Sequence, residues 1–225
     1  MRLTGHRWRT VVHTARTPHL PGHPHRVIRP ARPPAHASLR DGYLGWHMSV
    51  DKAAARDLAL AWWLASRSPR SLIHLPLRSS PVTCGEEYGG RRLDLVLLHH
   101  GLGFPVSRWK AVRARAGVAA ARTITLPERA FRAPEPGDRE LTARREFRDR
   151  LAWDVAADTL FVVGSRLAFE LAGESLRALA EDCPAHLAAD PDAHCCAEIG
   201  LGRPRGMAGR NSYGELHVQI CNRHA

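Results

Sequence analysis

The composition breaks at Met48, and that break decides how much of the chain can build a core. Residues 1–47 hold eight arginines, no lysine and a single acid, Asp41. They also hold seven of the fourteen histidines and six of the sixteen prolines. Prolines 18, 21, 24, 30, 33 and 34 forbid a long helix and argue against a central strand. With apolar residues scattered among them, the segment is expected to be a disordered basic arm.

Three roles compete for such an arm: a tail that binds polyanions, a targeting segment, or translated GC-rich DNA ahead of a true start at Met48. Two lysines against 31 arginines point to a GC-rich genome. The arm also carries +7 of the chain's +11 net charge, so little of the basic excess belongs to residues 48–225. No apolar stretch near the N-terminus suits a secretory signal, and the longest apolar run, 58–65, is too short to span a bilayer. An odd number of cysteines, two of them adjacent, makes a poor disulfide framework. Together these features predict a cytoplasmic protein with no membrane association.

From Met48 on, the text is regular. Helices are expected over 51–66, capped by Ser49 or Asp51, and over 105–116 and 138–153. Strands are expected over 71–77, 82–84, 93–99 and 123–126, with 93–99 central because its apolar residues fall on both faces. The C-terminal third reads as strand 159–163, a turn at Gly164-Ser165-Arg166, strand 167–172, helix 174–182, and strands 194–201 and 215–221. In the last, Leu216, Val218 and Ile220 alternate with His217, Gln219 and Cys221. The prediction is an α+β fold: mostly antiparallel sheet with helices on one face, preceded by the disordered arm. It comprises one domain over 48–225, or two lobes, 48–126 and 139–225, joined by a linker over 127–138. No internal repeat is visible.

Four constellations could carry chemistry. Cysteines and histidines interleave between 183 and 221, which by composition suits zinc. On a strand, His217 and Cys221 lie about 13 Å apart, at about 3.3 Å per residue, and Cys195 and Cys196 point to opposite faces. Only a set with one ligand from each element survives: Cys183, His186, His194 and His217. Otherwise no cofactor is expected, and these residues pack a sheet or line its wet face.

The Gly- and Arg-rich stretch 200–214 could cradle an anion through Arg203, Arg205 and Arg210 beside His217. It matches neither the dinucleotide fingerprint nor a P-loop; the competing reading is a hairpin loop. Helix 105–116 presents Arg108, Lys110, Arg113 and Arg115 and could meet nucleic acid, but no second helix completes a helix-turn-helix. Nucleophile signatures are absent: Gly173-Glu-Ser175 lacks its second glycine. Cys84 near His99 or His100 is a conceivable pair with no orienting acid except Asp94.

A compact, locally consistent chain with no motif at catalytic spacing predicts a protein-binding or regulatory module rather than an enzyme. The alternatives are an enzyme or ligand-binding domain acting on an anionic, phosphorylated small molecule through 200–214. Nucleic-acid binding through helix 105–116 or the arm is a second.

Overall fold

The computed structural model describes residues 2–15, 24–42, 45–80, 86–117, 119–144, 146–205 and 214–221. The expected strand at 82–84, together with Cys84 and Arg210, lies outside them. The architecture is α+β, built on a mixed, mostly antiparallel eleven-stranded sheet.

The expected disordered arm is the main correction. Residues 1–47 contribute β1 (Arg7–Ala15), β2 (His25–Pro30), β3 (Ala37–Gly42) and the first half of β4 (Gly45–Val50). Leu3, Trp8, Val27, Ile28, Ala37 and Leu39 are buried, while Arg7, Arg9 and Arg26 point outward. The described prolines punctuate strands rather than prevent them. Pro24 precedes β2, Pro30 ends it, and Pro33 and Pro34 occupy the turn before β3. Period-two alternation, diluted by arginine and histidine, was the signal to follow.

Two segments share one connectivity that is invisible in the residues. In the first, β4 runs into α1 (Lys52–Arg67) and then the hairpin β5 (Ser71–Leu75) and β6 (Arg91–His99). In the second, β9 (Thr159–Gly164) runs into α4 (Arg166–Glu181), which α5 (Cys183–Ala189) follows, and then the hairpin β10 (Cys196–Gly202) and β11 (Gly214–Ile220). Each helix starts one residue after its strand. Asp51 accepts the Ala54 N–H at 2.7 Å, and Ser165 accepts the Ala168 N–H at 3.0 Å.

Each unit's opening strand pairs in parallel with the other unit's closing strand: β4 with β11, and β9 with β6. The strand before each opening strand is its antiparallel partner, β3 for β4 and β8 (Ala152–Ala156) for β9. The two expected lobes therefore share one sheet. They share a helical layer too: the Trp62 indole N–H of α1 donates to the Phe169 carbonyl of α4 at 3.0 Å, with their rings edge to face.

Other local expectations change with this topology. The predicted turn at 164–166 and strand at 167–172 are instead the cap and first turns of α4, with Ala168, Phe169, Leu176, Leu179 and Ala180 buried on one helical face. The predicted helix 138–153 persists only as α3 (Asp138–Ala143). The chain then folds back, the Arg150 guanidinium donating to the Thr142 and Arg144 carbonyls, before β8 begins. Helix 105–116 shortens to α2 (Trp109–Ala114) after a 3-10 turn. Strand 123–126 extends to β7 (Ala119–Thr125), paired with β1.

Strand β6 is central, as its two-sided hydrophobicity predicts. Leu95 and Leu97, with Ile73, Leu75, Leu160 and Val162, belong to the core built on α1 and α4. Val96 and Leu98, with Leu72, Phe161 and Val163, lie under Phe104, Trp109 and Val112. Trp109 is fixed there by an indole N–H donated to the Thr159 hydroxyl at 2.9 Å. The related strands of the other half, β4, β11 and β10, bury Met48, Val50, Leu216, Val218, Ile220, Ala197, Ile199 and Leu201 on the inner face. Among the described residues no helix is long and apolar enough to cross a membrane.

Because β3 stands between β4 and β6, a protein trimmed to residues 48–225 is expected to lose its cooperative thermal transition in circular dichroism. In the full chain, Leu39→Ala should cost about 2–5 kcal/mol in denaturant unfolding, as for other buried leucines. A folded, cooperative 48–225 fragment would refute the structural role of the arm.

Burial also pushes the Asp57 carboxyl on α1 up to about 6, from an ordinary 3.8. The fold prefers the protonated acid. Its contribution is intact below 3.8 and is lost as pH rises through about 6. Asp57→Asn should raise the melting temperature at about pH 8 and change it little at about pH 3.5.

Candidate functional site

The outer face of β4, β11 and β10 is polar because each strand alternates. In β11, Leu216, Val218 and Ile220 face inward, which leaves Glu215, His217 and Gln219 outward. Pairing aligns these residues into rows. One row runs Arg92, Arg40, His47, His217, Glu198 across β6, β3, β4, β11 and β10. The next runs Ser38, Ser49, Gln219, Cys196.

The imidazoles of this face stack. Ring centroids are 4.7 Å apart for His47 and His217, and 5.5 Å for His217 and His194. Tyr88 stacks on the far side of His47 at 3.4 Å and donates its hydroxyl proton to the Gln219 amide oxygen at 3.2 Å. Tyr88 reaches this position because the following chain doubles back tightly over β3. Gly90, at φ +75°, passes so close to the Asp41 carbonyl that no side chain could be accommodated there.

The result is a cavity of about 310 Å³ lined by Gly42, Trp46, His47, Tyr88, His194, Glu215, His217 and Gln219. None of its lining residues is an arginine or lysine. Glu198 comes within 3.9 Å of the His217 ring nitrogen. A second hollow, of about 640 Å³, adjoins the first at Glu215 and runs between the β10 edge and α4, past Leu171, Ala172 and Ser175.

The predicted zinc set divides. His194, Cys196 and His217 each bring one ligand atom within 4.8 Å of the others, the group of this kind among the described residues. Cys183 and His186 do not join it. They sit on α5, where Cys183 packs against the main core, and the Cys195 thiol approaches the Cys183 carbonyl at 4.0 Å. Burial, with Cys195 beside it, pushes the Cys183 thiol up to about 12. The opposite orientation of the adjacent cysteines is as expected: Cys195 is buried inward and Cys196 lies on the outer face. The expectation of a chain without disulfides is corrected in one respect, since Cys221 is disulfide-bonded while Cys183, Cys195 and Cys196 are free.

The anion cradle is not assembled by its described members. Arg203 and Arg205 are exposed and absent from the cavity lining, and the Arg205 backbone N–H is tied to the Trp153 carbonyl at 2.8 Å. Only His217 of that set reaches the cavity. The proposed recognition helix is a lid. Arg113 pairs with the buried Asp94 at 3.3 Å, alongside His74 and Arg78, while Arg108, Lys110 and Arg115 remain exposed around the Trp109 anchor.

Two contributors escaped the residue-level reading. His47 lies in the segment expected to be disordered, and Tyr88 falls between the expected elements. The sequence does hold a signal for the third. His194-x-Cys196 is an i, i+2 pair, and such pairs share a strand face.

Burial, reinforced by the His217 ring, lowers the His47 pKa from 6.5 to about 4. His47 is therefore neutral at pH 7, and the fold loses stability as pH falls from 6.5 toward 4, because the unfolded chain takes up the proton first. In an NMR titration of the ring protons, His47 should titrate near 4; a midpoint at its ordinary value would contradict the buried stack. No protein-family model matches the chain, and no curated protein or solved structure is detectably similar to it, so the functional reading rests on this geometry.

Proposed function

We propose that the protein is a protein-binding module that receives an extended partner segment along the β10 edge and grips one cationic side chain in the histidine-lined cavity. The observation that carries this reading is the pair of adjoining hollows joined at Glu215, of which the smaller is walled by stacked rings and carboxylate.

Each part fits an arginine. A planar guanidinium stacks on aromatic faces and forks onto carboxylates. The cavity offers Tyr88 and a row of imidazoles, with Glu215 in its wall and Glu198 at its rim. A neutral His47 adds ring surface without repelling a cation. An anionic ligand would meet Glu215 and no arginine or lysine in the lining, so this cavity offers it less than it offers a cation. Apart from a single bridge between Trp153 and Pro204, β10 pairs among the described residues only with β11. Its other edge can accept the backbone of an added strand, beside the longer hollow that runs along α4.

Argininamide is the probe for the cavity, with citrullinamide as the isosteric uncharged control. In two-dimensional NMR of the full chain, argininamide should shift the amides of His47, Glu215, His217 and Gln219. Citrullinamide should shift them far less. Glu215→Gln should weaken argininamide binding by about tenfold, the cost of a lost charge pair. Equal responses to the two amides, or shifts confined to other surfaces, would overturn the reading.

A further inference from the structure

We propose that His194, Cys196 and His217 form a binding site for a borderline-soft divalent transition metal, with zinc as the preferred ion. Their ligand atoms lie within 4.8 Å of one another. Tetrahedral coordination brings donors to within about 4 Å, so small rotamer changes close the remaining distance.

The backbone makes this convergence a consequence of register. His194 and Cys196 are two residues apart, where the chain enters β10, and Ile220 donates its N–H to the Cys195 carbonyl, so pairing with β11 already holds this segment. An i, i+2 pair projects from the same face. Cys196 stands directly opposite Gln219, and Glu198 directly opposite His217. His217 is therefore diagonal to Cys196 across the same two strands, at a separation long side chains bridge. Two donors, Cys196 and His217, come from paired strands, and the third, His194, from the segment that leads into β10.

The donor chemistry selects the ion. Two imidazoles and a thiolate suit zinc and its neighbours, and disfavour magnesium and calcium, which take oxygen ligands. Three protein ligands leave a fourth position. Glu198, with a carboxylate oxygen 3.9 Å from His217, either fills that position or holds the imidazole in place as an outer partner. Without a metal, the same face is an ordinary solvated sheet surface, and the two descriptions differ in what the thiol of Cys196 does.

This site shares His194 and His217 with the histidine-lined cavity, but Cys196 lies outside that cavity's lining, so a test centred on Cys196 separates the two readings. The full chain, stripped with chelator, is titrated with Co²⁺ as the spectroscopic probe and then with Zn²⁺. The expected result is about one equivalent of Co²⁺ in a tetrahedral spectrum with a thiolate-to-metal charge-transfer band, displaced by zinc.

Cys196→Ser should abolish that band, and His194→Gln or His217→Ala should weaken zinc binding by at least about tenfold. Cys183→Ser, on the core side, should leave both unchanged. Matching thermal melts confirm that the variants fold, and argininamide binding should survive in Cys196→Ser. A Co²⁺ spectrum with no thiolate band, or a band that survives Cys196→Ser and is lost in Cys183→Ser, overturns the proposal.

Discussion

The reciprocal parallel pairing of β4 with β11 and of β9 with β6 is the constraint on which the rest of the molecule depends. Neither strand–helix–hairpin unit completes its sheet alone, because each opening strand finds its parallel neighbour in the other. Parallel strands need a crossover connection, and here α1 and α4 lie side by side to cover the shared face. Trp62 and Phe169 lock that contact by burying both rings and satisfying the indole N–H. Once this exchange is in place, β3 must stand between β4 and β6, and β1, β2 and β7 extend the sheet beyond β5.

The same exchange creates an inequality. Behind β6 and β9, the outer face is apolar and sealed by Phe104, Trp109 and Val112. Behind β4 and β11, the corresponding positions are His47, His217 and Gln219, and the covering contribution is the single ring of Tyr88. Val96 pairs with Phe161 in one half where His217 pairs with His47 in the other. The polar version cannot be covered by an apolar helix without stranding its imidazoles, which buried polar groups do not tolerate. That face therefore carries no α-helical cover among the described residues.

Much of this was legible locally. The Asp51 cap and Ala-rich run announced α1, the two-sided leucine pattern placed β6 at the centre, and the alternation of Leu216, Val218 and Ile220 announced β11. The errors have physical causes. The arm's described prolines sit at strand ends or between strands, where they cost little, and composition averaged that placement away. The α4 start was read as a hairpin because Gly164-Ser165 resembles a turn, whereas Ser165 acts as a helix cap. The 138–153 segment has helical propensity, but Arg150 folds it back and Leu151 is drawn into the core. The site was half visible: His194 and His217 were identified, but Cys196 was set aside with its neighbour, and His47 was assigned to a segment read as unstructured.

What the sequence by itself determined is the set of faces: which residues of each strand go in, which come out, and where helices can start. Those follow from side-chain periodicity and capping, and act over a few residues. What only the tertiary structure decided is which faces meet. The pairing of β4 with β11 brings His47 beside His217, and Gly90 turns the chain so that Tyr88 stacks on them. The β10–β11 register places Cys196 diagonal to His217. The first of these contacts joins residues 170 positions apart and the others residues on separate elements, and no local pattern encodes register between separate strands. It is set by the burial of the opposite, apolar face, where slipping one residue would turn every leucine outward.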